Sequence, residues 1–264
     1  MLVTLRLMID LHSHILHAID DGSRSLADAM TVARTAVAGG VSLMVATPHG
    51  RSSISSGSRY SVALLHERLE ELQGALDRAG VPLNLVAGTE IYAEPGALER
   101  LRAGELLTYG GSRAILMEFS LAIAAQTAEE LIASFQLAGY RVVVAHPERY
   151  RFVQRDPNLL IPLIERGALM QLTADALVGL QGTQMRRLAE LLLQHGMIQL
   201  IATDAHGPHL ARMPNLAAAR ETVTRLSGSE AATLLTQRIP AAVLADEPLD
   251  LPAPRSVGHR LTLW

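Results

Sequence analysis

Short apolar segments alternate with longer amphipathic segments along most of this chain. The apolar segments have the length of buried strands, whereas the amphipathic segments repeat apolar residues at helical spacing. The pattern predicts strands at residues 8–11, 41–46, 83–87, 113–117, 141–145, 168–173 and 198–203. It predicts helices between Ser25 and Gly39 and at residues 61–79, 95–102, 127–138, 156–166, 183–195, 214–225 and 230–237.

The order of these elements favours one architecture. A strand followed by a helix, repeated seven times, implies parallel strands joined by right-handed crossovers. An open doubly wound sheet and a closed barrel both satisfy that order. The open sheet usually carries a Gly-rich phosphate-binding turn after an early strand, and residues 8–11 are not followed by one. We therefore predict an α/β fold in the form of a seven-unit (β/α) barrel similar to a TIM barrel.

Polar residues with metal-binding side chains follow six of the seven predicted strands. His12 and His14 lie two residues apart, so a strand would direct both imidazoles to one face. A single such residue is more often a surface group, and Asp204 alone could cap the helix that follows it. The whole set indicates a site, because a barrel gathers its strand ends over one face. The candidates are His12, His14, Asp21, His49, Glu90, Glu118, His146, Asp204 and His206.

The composition of the chain excludes several classes of protein and of active site. With 264 residues, of which 49% are hydrophobic, we expect one domain with its core at about residues 8–240 and an extended tail at 241–264. The net charge of −3 is spread over both signs and gives no basic surface for nucleic acid. No apolar run reaches membrane-spanning length and no leader is evident, so a cytoplasmic protein is expected. The chain has no cysteine, which excludes thiolate metal sites and a cysteine nucleophile.

The nine imidazole and carboxylate groups exceed the needs of one ion, so two or three divalent ions are expected. Mixed nitrogen and oxygen ligands suit manganese, iron, zinc or magnesium, and the sequence does not choose between them. Clustered ions suit phosphate chemistry, since they generate hydroxide and neutralise phosphoryl oxygens. Arg149 and Arg212 closely follow His146 and His206. Each guanidinium is a candidate phosphate ligand, with a solvated salt bridge as the alternative.

Seven short blocks of this sequence resemble a known family. They run in order from Met8 to about Arg225, and the most specific of them are Asp20-Asp21-Gly22 and His146-Pro147-Glu148-Arg149-Tyr150. The others are Met8-Ile9-Asp10-Leu11-His12-Ser13-His14, Ala46-Thr47-Pro48-His49, Gly88-Thr89-Glu90-Ile91, Met117-Glu118-Phe119 and Thr203-Asp204-Ala205-His206. The blocks are similar to those of PHP-domain (polymerase and histidinol phosphatase superfamily) protein-tyrosine phosphatases of bacterial capsule and exopolysaccharide operons.

This resemblance implies the PHP fold, a distorted seven-unit barrel with three metal ions, usually manganese. It implies that one ion is held by His12, His14, Glu90 and Asp204, and that Glu90 bridges to a second ion held by Glu118 and His146. The third ion would be held by Asp21, His49 and His206, and the phosphate by Arg149 and Arg212. The implied substrate is phosphotyrosine on a membrane-associated bacterial tyrosine kinase that controls polysaccharide export.

Two other functions are consistent with these residues. A small-molecule phosphatase of the same superfamily, such as a histidinol-phosphate phosphatase, would use the same metals. A metal-binding regulatory module without activity is less consistent with nine intact candidate ligands.

Residues 51–60 are rich in Ser and Gly and predict a mobile loop beside His49. His195 is expected at a helix C-terminus, where a cation is favoured. The other histidines lack a matching strand end and are expected at the surface, namely His17, His66, His209 and His259.

Overall fold

The computed structural model describes residues 7–50 and 59–258. The predicted loop at residues 51–60 lies mostly outside these ranges, as does His259. The strands are β1 Met8–Ser13, β2 Val41–Ala46, β3 Asn84–Ala87, β4 Glu90–Tyr92, β5 Ala114–Glu118, β6 Arg141–Ala145, β7 Leu169–Thr173 and β8 Leu200–Ala202. The helices are α1 Leu26–Ala38, α2 Val62–Arg78, α3 Ala97–Arg102, α4 Ala125–Leu137, α5 Arg151–Arg155, α6 Ile161–Glu165, α7 Ala174–Val178, α8 Thr183–Gln194, α9 Leu216–Thr233 and α10 Ile239–Leu244.

The strands form two sheets, in the order β1-β2-β3 and β4-β5-β6-β7-β8. Neighbouring strands in both sheets run parallel, which confirms the α/β class with parallel strands. Single parallel bridges connect the two sheets near their strand ends. Ser13 of β1 pairs with Ala205 beyond β8, and His49 beyond β2 pairs with Glu90 of β4. The carboxyl ends of both sheets are therefore held together.

An eighth strand, β4, which the pattern does not predict, corrects the expected number of strands. β3 pairs with β2 and ends at Ala87, and after Gly88 and Thr89 the chain continues as β4, which pairs with β5. Gly88 lies at this break, where a Cβ would come within 3.0 Å of a Val45 methyl group and 3.2 Å of the Tyr109 ring. A larger residue would force these neighbours apart. The glycine therefore allows the chain to change partner strands immediately before Glu90.

Helix ends follow local chemistry, with one correction. Ser25, the predicted start of the first helix, caps α1 by accepting a hydrogen bond from the backbone N–H of Asp28 at 3.2 Å. The single helix predicted at residues 156–166 is wrong, because its first part is the 3₁₀ turn Pro157–Leu160 and only the second part is α6. Pro162 accounts for the break, since it has no N–H with which to continue an α-helix.

The C-terminal helices are more numerous than predicted. Gly228, with φ 88° and ψ 165°, divides α9 into two helical segments, in agreement with the predicted separation between residues 225 and 230. A π-helical turn, Leu234–Arg238, then leads into α10.

The pattern does not predict α5, α7 or α10, which are only five or six residues long. Such short helices carry too few turns to show a 3.6-residue period.

One hydrophobic core connects β1 with the C-terminal tail. Residues 247–258 contain no helix or strand, but residues 241–244 of the expected extended tail belong to α10. Asn158 holds this tail, because its side chain accepts a hydrogen bond from Val257 N at 2.7 Å and donates one to Val257 O at 3.2 Å. None of the helices in the described ranges has the length and apolar character needed to cross a membrane.

Candidate metal centre

All nine candidate ligands lie together at the carboxyl ends of the strands. Glu90 is central, with its Oε2 atom 3.0 Å from His49 Nδ1, 3.2 Å from His14 Nε2 and 3.4 Å from His12 Nε2. Its Oε1 atom lies 3.1 Å from His146 Nε2. One buried carboxylate therefore contacts four imidazoles, which are supplied by the ends of β1, β2 and β6.

Asp204 connects the histidines of β1 with both candidate phosphate ligands. Its Oδ1 atom lies 3.3 Å from His12 Nε2 and 3.3 Å from His14 Nε2. Its Oδ2 atom accepts hydrogen bonds from Arg149 Nη2, at 2.8 Å, and from Arg212 Nη2. The two arginines, 63 residues apart in the sequence, therefore meet on one oxygen of a candidate metal ligand.

The remaining candidates lie on two sides of this centre. Asp21 Oδ1 is 3.5 Å from His206 Nε2 and 3.6 Å from His49 Nε2. Glu118 lies opposite, with Oε1 3.7 Å from His146 Nε2 and Oε2 3.8 Å from His49 Nδ1. Three overlapping groups have all their ligand atoms within 4.8 Å of one another, namely His14–Asp21–His49–His206, His12–His14–Glu90 and His49–Glu90–Glu118.

The Oε2 atom of Glu90 provides a test of whether divalent cations fit this centre. It is buried among three imidazole nitrogens at 3.0 to 3.4 Å, and none of the described residues is aligned to donate a regular hydrogen bond to it. Buried carboxylate oxygens normally do accept hydrogen bonds. The surrounding nitrogen and oxygen atoms lie 3.0 to 3.8 Å apart. Ligands bound to one ion at about 2.1 Å are separated by roughly 3.0 to 3.5 Å. The donor set therefore fits divalent cations.

Two polar residues that were not predicted from the sequence orient the histidines. Asp20 Oδ2 accepts a hydrogen bond from His14 Nδ1 at 2.7 Å and one from the backbone of His49 at 2.9 Å. Gln171 Oε1 accepts one from His12 Nδ1 at 2.7 Å. Each contact places a proton on Nδ1, so Nε2, which faces Glu90, is the ring nitrogen that a cation would bind. Such outer contacts fix the tautomer of a metal ligand and raise its basicity.

Asp10 connects β1 and β8 behind the ligands. Its Oδ1 atom accepts hydrogen bonds from Thr203 N at 3.0 Å and from His12 N at 3.3 Å, and its Oδ2 atom accepts one from Thr203 Oγ1 at 2.5 Å. Thr203 immediately precedes Asp204. This buried carboxylate therefore fixes the distance between the two candidate ligands His12 and Asp204.

Gly22 explains the Asp-Asp-Gly block. A Cβ at this position would lie 2.1 Å from His14 O and 2.6 Å from His14 Cβ, so no other residue fits. The turn is closed by a hydrogen bond from Gly22 N to Asp20 Oδ1 at 2.9 Å and one from Ser23 N to His14 O at 3.1 Å. The first acid of the block therefore supports His14, and the second, Asp21, faces the cluster.

Two candidate ligands have a left-handed backbone, namely His146 with φ 35° and Asp204 with φ 52°. Non-glycine residues rarely adopt this region, although His and Asp tolerate it better than most. The strain costs about 1 kcal/mol or more for each residue and persists only where the surrounding structure enforces it. Both residues directly follow or closely follow a strand, at the point where the chain turns over the site.

The carboxylates of the cluster differ in their pKa values. Burial raises the pKa of Glu90, but the positive charges of His12 and His49 outweigh it and bring the pKa well below its ordinary value. The pKa of Asp204 is also well below its ordinary value, because His12 and the two arginines outweigh burial. In contrast, burial and the charge of Glu90 raise the pKa of Glu118 to about 8.

The imidazoles of the cluster also differ in their pKa values. Burial lowers the pKa of His49, but the negative charge of Glu90 outweighs this effect and brings the pKa to about 9. Burial also opposes protonation of His14, yet Asp20 keeps the pKa of this ring well above its ordinary value. Burial and a neighbouring arginine lower the pKa of His146 to about 4. A cation would therefore compete with protons at His14 and His49, whereas His146 is already neutral at pH 7.

The other histidines lie outside the cluster. His66 is exposed, His195 follows the end of α8 and His209 is half-buried. His17 is buried, which corrects its predicted surface position. It packs toward α2, with Nε2 3.4 Å from Glu71 Oε2. This contact is not predictable from the sequence, because the loop that contains His17 has no periodic pattern.

A cavity of about 510 Å³ lies beside the cluster. Arg149 and Arg212 line it, together with Asp175, Leu180 and Leu210. Leu180 and Leu210 are exposed, so the cavity opens to solvent. Both candidate phosphate ligands can therefore be reached from outside the protein.

Comparisons with known proteins identify the family of this chain. A family model described as "Capsular polysaccharide synthesis, CpsB/CapC" matches residues 8–245. The tyrosine-protein phosphatase YwqE of Bacillus subtilis (strain 168) is 36% identical over 199 residues, which cover 75% of this chain and 77% of YwqE. The tyrosine-protein phosphatase CpsB of Streptococcus pneumoniae is 25% identical over 245 residues, which cover 91% of this chain and 99% of CpsB.

A solved structure is similar over nearly the whole chain. It is described as YwqE from Bacillus subtilis and CpsB from Streptococcus pneumoniae, unique metal-dependent tyrosine phosphatases. It superposes with a TM-score of 0.88 at 32% sequence identity, and the match covers 96% of this chain and 100% of that chain. The family expected from the sequence blocks is therefore confirmed, and the chain belongs to the CpsB/CapC family of capsular polysaccharide synthesis.

Proposed function

We propose that this chain is a metal-dependent protein-tyrosine phosphatase, the activity for which its relatives are named. The observation that carries this proposal is the position of Asp204. One of its oxygens faces His12 and His14, and the other accepts hydrogen bonds from Arg149 and Arg212. Guanidinium groups match phosphate in charge and geometry. Candidate metal ligands and candidate phosphate ligands therefore meet at one carboxylate.

We infer that two or three divalent ions bind in the cluster, with manganese expected and iron, zinc or magnesium as alternatives. Bound ions would lower the pKa of a coordinated water towards neutrality and neutralise the phosphoryl oxygens. The contacts of Glu90 with four imidazoles support a bridging position for this residue. The proposed ligand sets are His12, His14, Glu90 and Asp204 for one ion; Glu90, Glu118 and His146 for the second; and Asp21, His49 and His206 for the third.

The side chains of this protein would bind and orient the phosphate. Arg149 and Arg212 would exchange contacts with Asp204 for contacts with the phosphate, and so orient it. The chain has no cysteine, so the usual thiolate nucleophile of tyrosine phosphatases is absent. The tyrosine phenolate, with an unperturbed pKa of about 10, is a fair leaving group and needs little protonation. A serine alkoxide would need a general acid.

We further propose that the two sheets form a distorted seven-unit barrel of the PHP type, in a single domain, if β3 and β4 count as one unit. The Ser13–Ala205 and His49–Glu90 bridges support this closure. The proposed substrate is phosphotyrosine on a membrane-associated tyrosine kinase that controls polysaccharide export, and the proposed location is the cytoplasm. The place of the family in capsular polysaccharide synthesis supports this choice of substrate.

The test compares hydrolysis of a phosphotyrosine peptide, a phosphoserine peptide and histidinol phosphate. Each is measured with the native protein, after iodoacetamide, after a chelator and after return of manganese. We expect a preference for phosphotyrosine, no effect of iodoacetamide, loss with the chelator and recovery with manganese.

Other results of this assay separate the alternatives. Full activity after exhaustive metal removal would contradict the proposed mechanism. A preference for histidinol phosphate would support the small-molecule phosphatase. A protein that binds metal tightly and hydrolyses none of the substrates would be a regulatory module.

A further inference from the structure

Two exposed leucines line the same cavity as the two arginines. Leu180 is 69% exposed and Leu210 is 45% exposed. A single exposed leucine is common on protein surfaces. Here, two of them share a cavity with Arg149 and Arg212, which are the candidate phosphate ligands. An apolar wall combined with a few convergent polar groups is typical of a small-molecule site.

The position of Leu180 is fixed by its turn. The turn connects α7 with α8, and Leu180 N donates a hydrogen bond to Asp175 O at 2.9 Å. Gly182 N donates to Gly179 O at 3.1 Å, and both glycines have positive φ angles, 89° and 93°. The leucine is therefore presented to the cavity by a closed turn whose ends require glycine.

The position of Leu210 is fixed relative to Arg212. Leu210 ends the 3₁₀ turn Pro208–Leu210, and Ala211 N donates back to Pro208 O at 3.1 Å. The same loop is closed by hydrogen bonds to Arg212 O from His206 N, at 2.9 Å, and from Gly207 N, at 3.0 Å. One rigid loop therefore carries an apolar side chain and a candidate phosphate ligand.

We propose that Leu180 and Leu210 form a subsite for the phenyl ring of phosphotyrosine, an inference that rests on the proposed phosphatase function. A phosphoryl group held by Arg149 and Arg212 leaves its substituent within the cavity that the leucines line. A flat ring can contact both leucines, whereas the single methylene group of phosphoserine is too short to do so. The leucines would therefore select aryl phosphates by contact, independently of how well the leaving group departs.

The test measures binding without chemistry. Calorimetry gives the Kd of phenylphosphonate and of methylphosphonate for the manganese-loaded protein, so the ratio of the two constants reports the ring alone. In Leu180→Ala and Leu210→Ala, we expect the Kd of phenylphosphonate to rise about fivefold for each leucine. The Kd of methylphosphonate should change by less than about twofold, because the phosphonate contacts are kept.

Two further variants complete the design. Leu137→Ala changes a leucine that is 90% exposed on α4 and lies outside the cavity lining, so the ratio should stay at its wild-type value. Leu180→Phe keeps an apolar side chain at the subsite and should retain the preference for the phenyl group. Metal content and thermal unfolding are measured for each variant.

The possible results are distinguishable. An unchanged ratio in the Leu180→Ala and Leu210→Ala double variant overturns the subsite, while leaving the proposed function intact. An equal loss of affinity for both phosphonates also overturns it, because the damage is then not specific to the ring. Weaker binding of a phosphotyrosine peptide without weaker binding of phenylphosphonate assigns the leucines to the peptide chain instead. A wild-type protein that binds neither phosphonate overturns the proposed function together with the subsite.

Discussion

The β1–β8 half of the candidate metal centre, defined as His12, His14 and Asp204, is held by hydrogen bonds that the β5–β6 half, defined as Glu118 and His146, lacks. Both histidine rings of the β1–β8 half donate from Nδ1 to a side-chain oxygen at 2.7 Å. In the β5–β6 half, His146 Nδ1 has no hydrogen-bond partner among the described residues. The Glu118 side chain is 18% exposed.

The two halves also differ in charge. The pKa of Asp204 lies well below its ordinary value, so its carboxylate is charged. In contrast, the pKa of Glu118 is about 8 and that of His146 is about 4. Without cations, the β5–β6 half is therefore close to neutral at pH 7. Outer hydrogen bonds typically contribute 10- to 100-fold to metal affinity. We therefore expect the β1–β8 half to bind its ion more tightly than the β5–β6 half.

Glu90→Ala should have the largest effect, because Glu90 contacts ligands of both halves. We expect hydrolysis of a phosphotyrosine peptide to fall to background, with loss of at least one bound ion, since a shared ligand is removed. His12→Ala should also abolish hydrolysis. Elemental analysis and the peptide assay check this result, with the exposed Glu99→Ala as a matched control. Near-normal activity with normal metal content would show that the site is misplaced.

Arg149→Ala should have the next largest effect. It removes one of two guanidinium groups near the proposed phosphate position, and such a loss typically costs about 10²- to 10³-fold in turnover. The metals should stay bound, because Arg149 contacts Asp204 from the side away from the β1 histidines. Arg151→Ala, which changes an exposed arginine on α5, is the control. Unchanged turnover would reduce Arg149 to a salt bridge.

Asp20→Asn should weaken only the β1–β8 half. Asparagine removes the charge that holds the His14 ring, so we expect the tighter of the metal-binding steps to weaken about 10- to 100-fold. Competition with a chelator of known affinity resolves the separate steps. If only the weaker step changes, our order of affinity for the two halves is wrong.

Much of this structure is predictable from the sequence because the signals are local. Most strands contain a short apolar run, and all the candidate ligands except Asp21 lie within a few residues of a strand end. The break at Gly88 is different, because it depends on contacts with Val45 and Tyr109, which are distant in the sequence. The break before Pro162 could have been predicted from the proline itself.

The supporting residues of the site are harder to predict. Asp20 and Asp21 are adjacent acids in one loop, and nothing in their spacing indicates which of them bonds to His14 Nδ1. Gln171 lies on β7, and its contact with His12 joins residues that are 159 positions apart. Such roles depend on side-chain directions across the carboxyl ends of the strands, which strand periodicity alone does not give.

The smallest expected effect is that of a substitution at Glu148, two residues after His146 of the β5–β6 half. Like His146, Glu148 has a side-chain atom without a hydrogen-bond partner among the described residues. Glu148 Oε1 accepts a hydrogen bond from Thr173 N at 3.2 Å, but Oε2 has no partner within residues 7–50 and 59–258. Burial raises the pKa of this carboxyl to about 7. The folded state therefore holds its proton more tightly than the unfolded state does. The stability that this provides is complete at pH values below about 4.5 and is lost as the pH rises through 7.

Glu148→Gln should therefore change how stability depends on pH. Glutamine keeps the acceptor for Thr173 N but cannot ionise, so the variant and the wild type should have similar unfolding free energies at pH 5. At pH 8, the variant should be more stable by about 2 to 3 kcal/mol, the cost of ionising the buried carboxyl. Urea unfolding of the metal-free protein at both pH values measures this difference, with the exposed Glu165→Gln as the control. A constant difference across this pH range would show that Glu148 does not titrate there, and the contrast between the two halves would then not extend to this carboxyl.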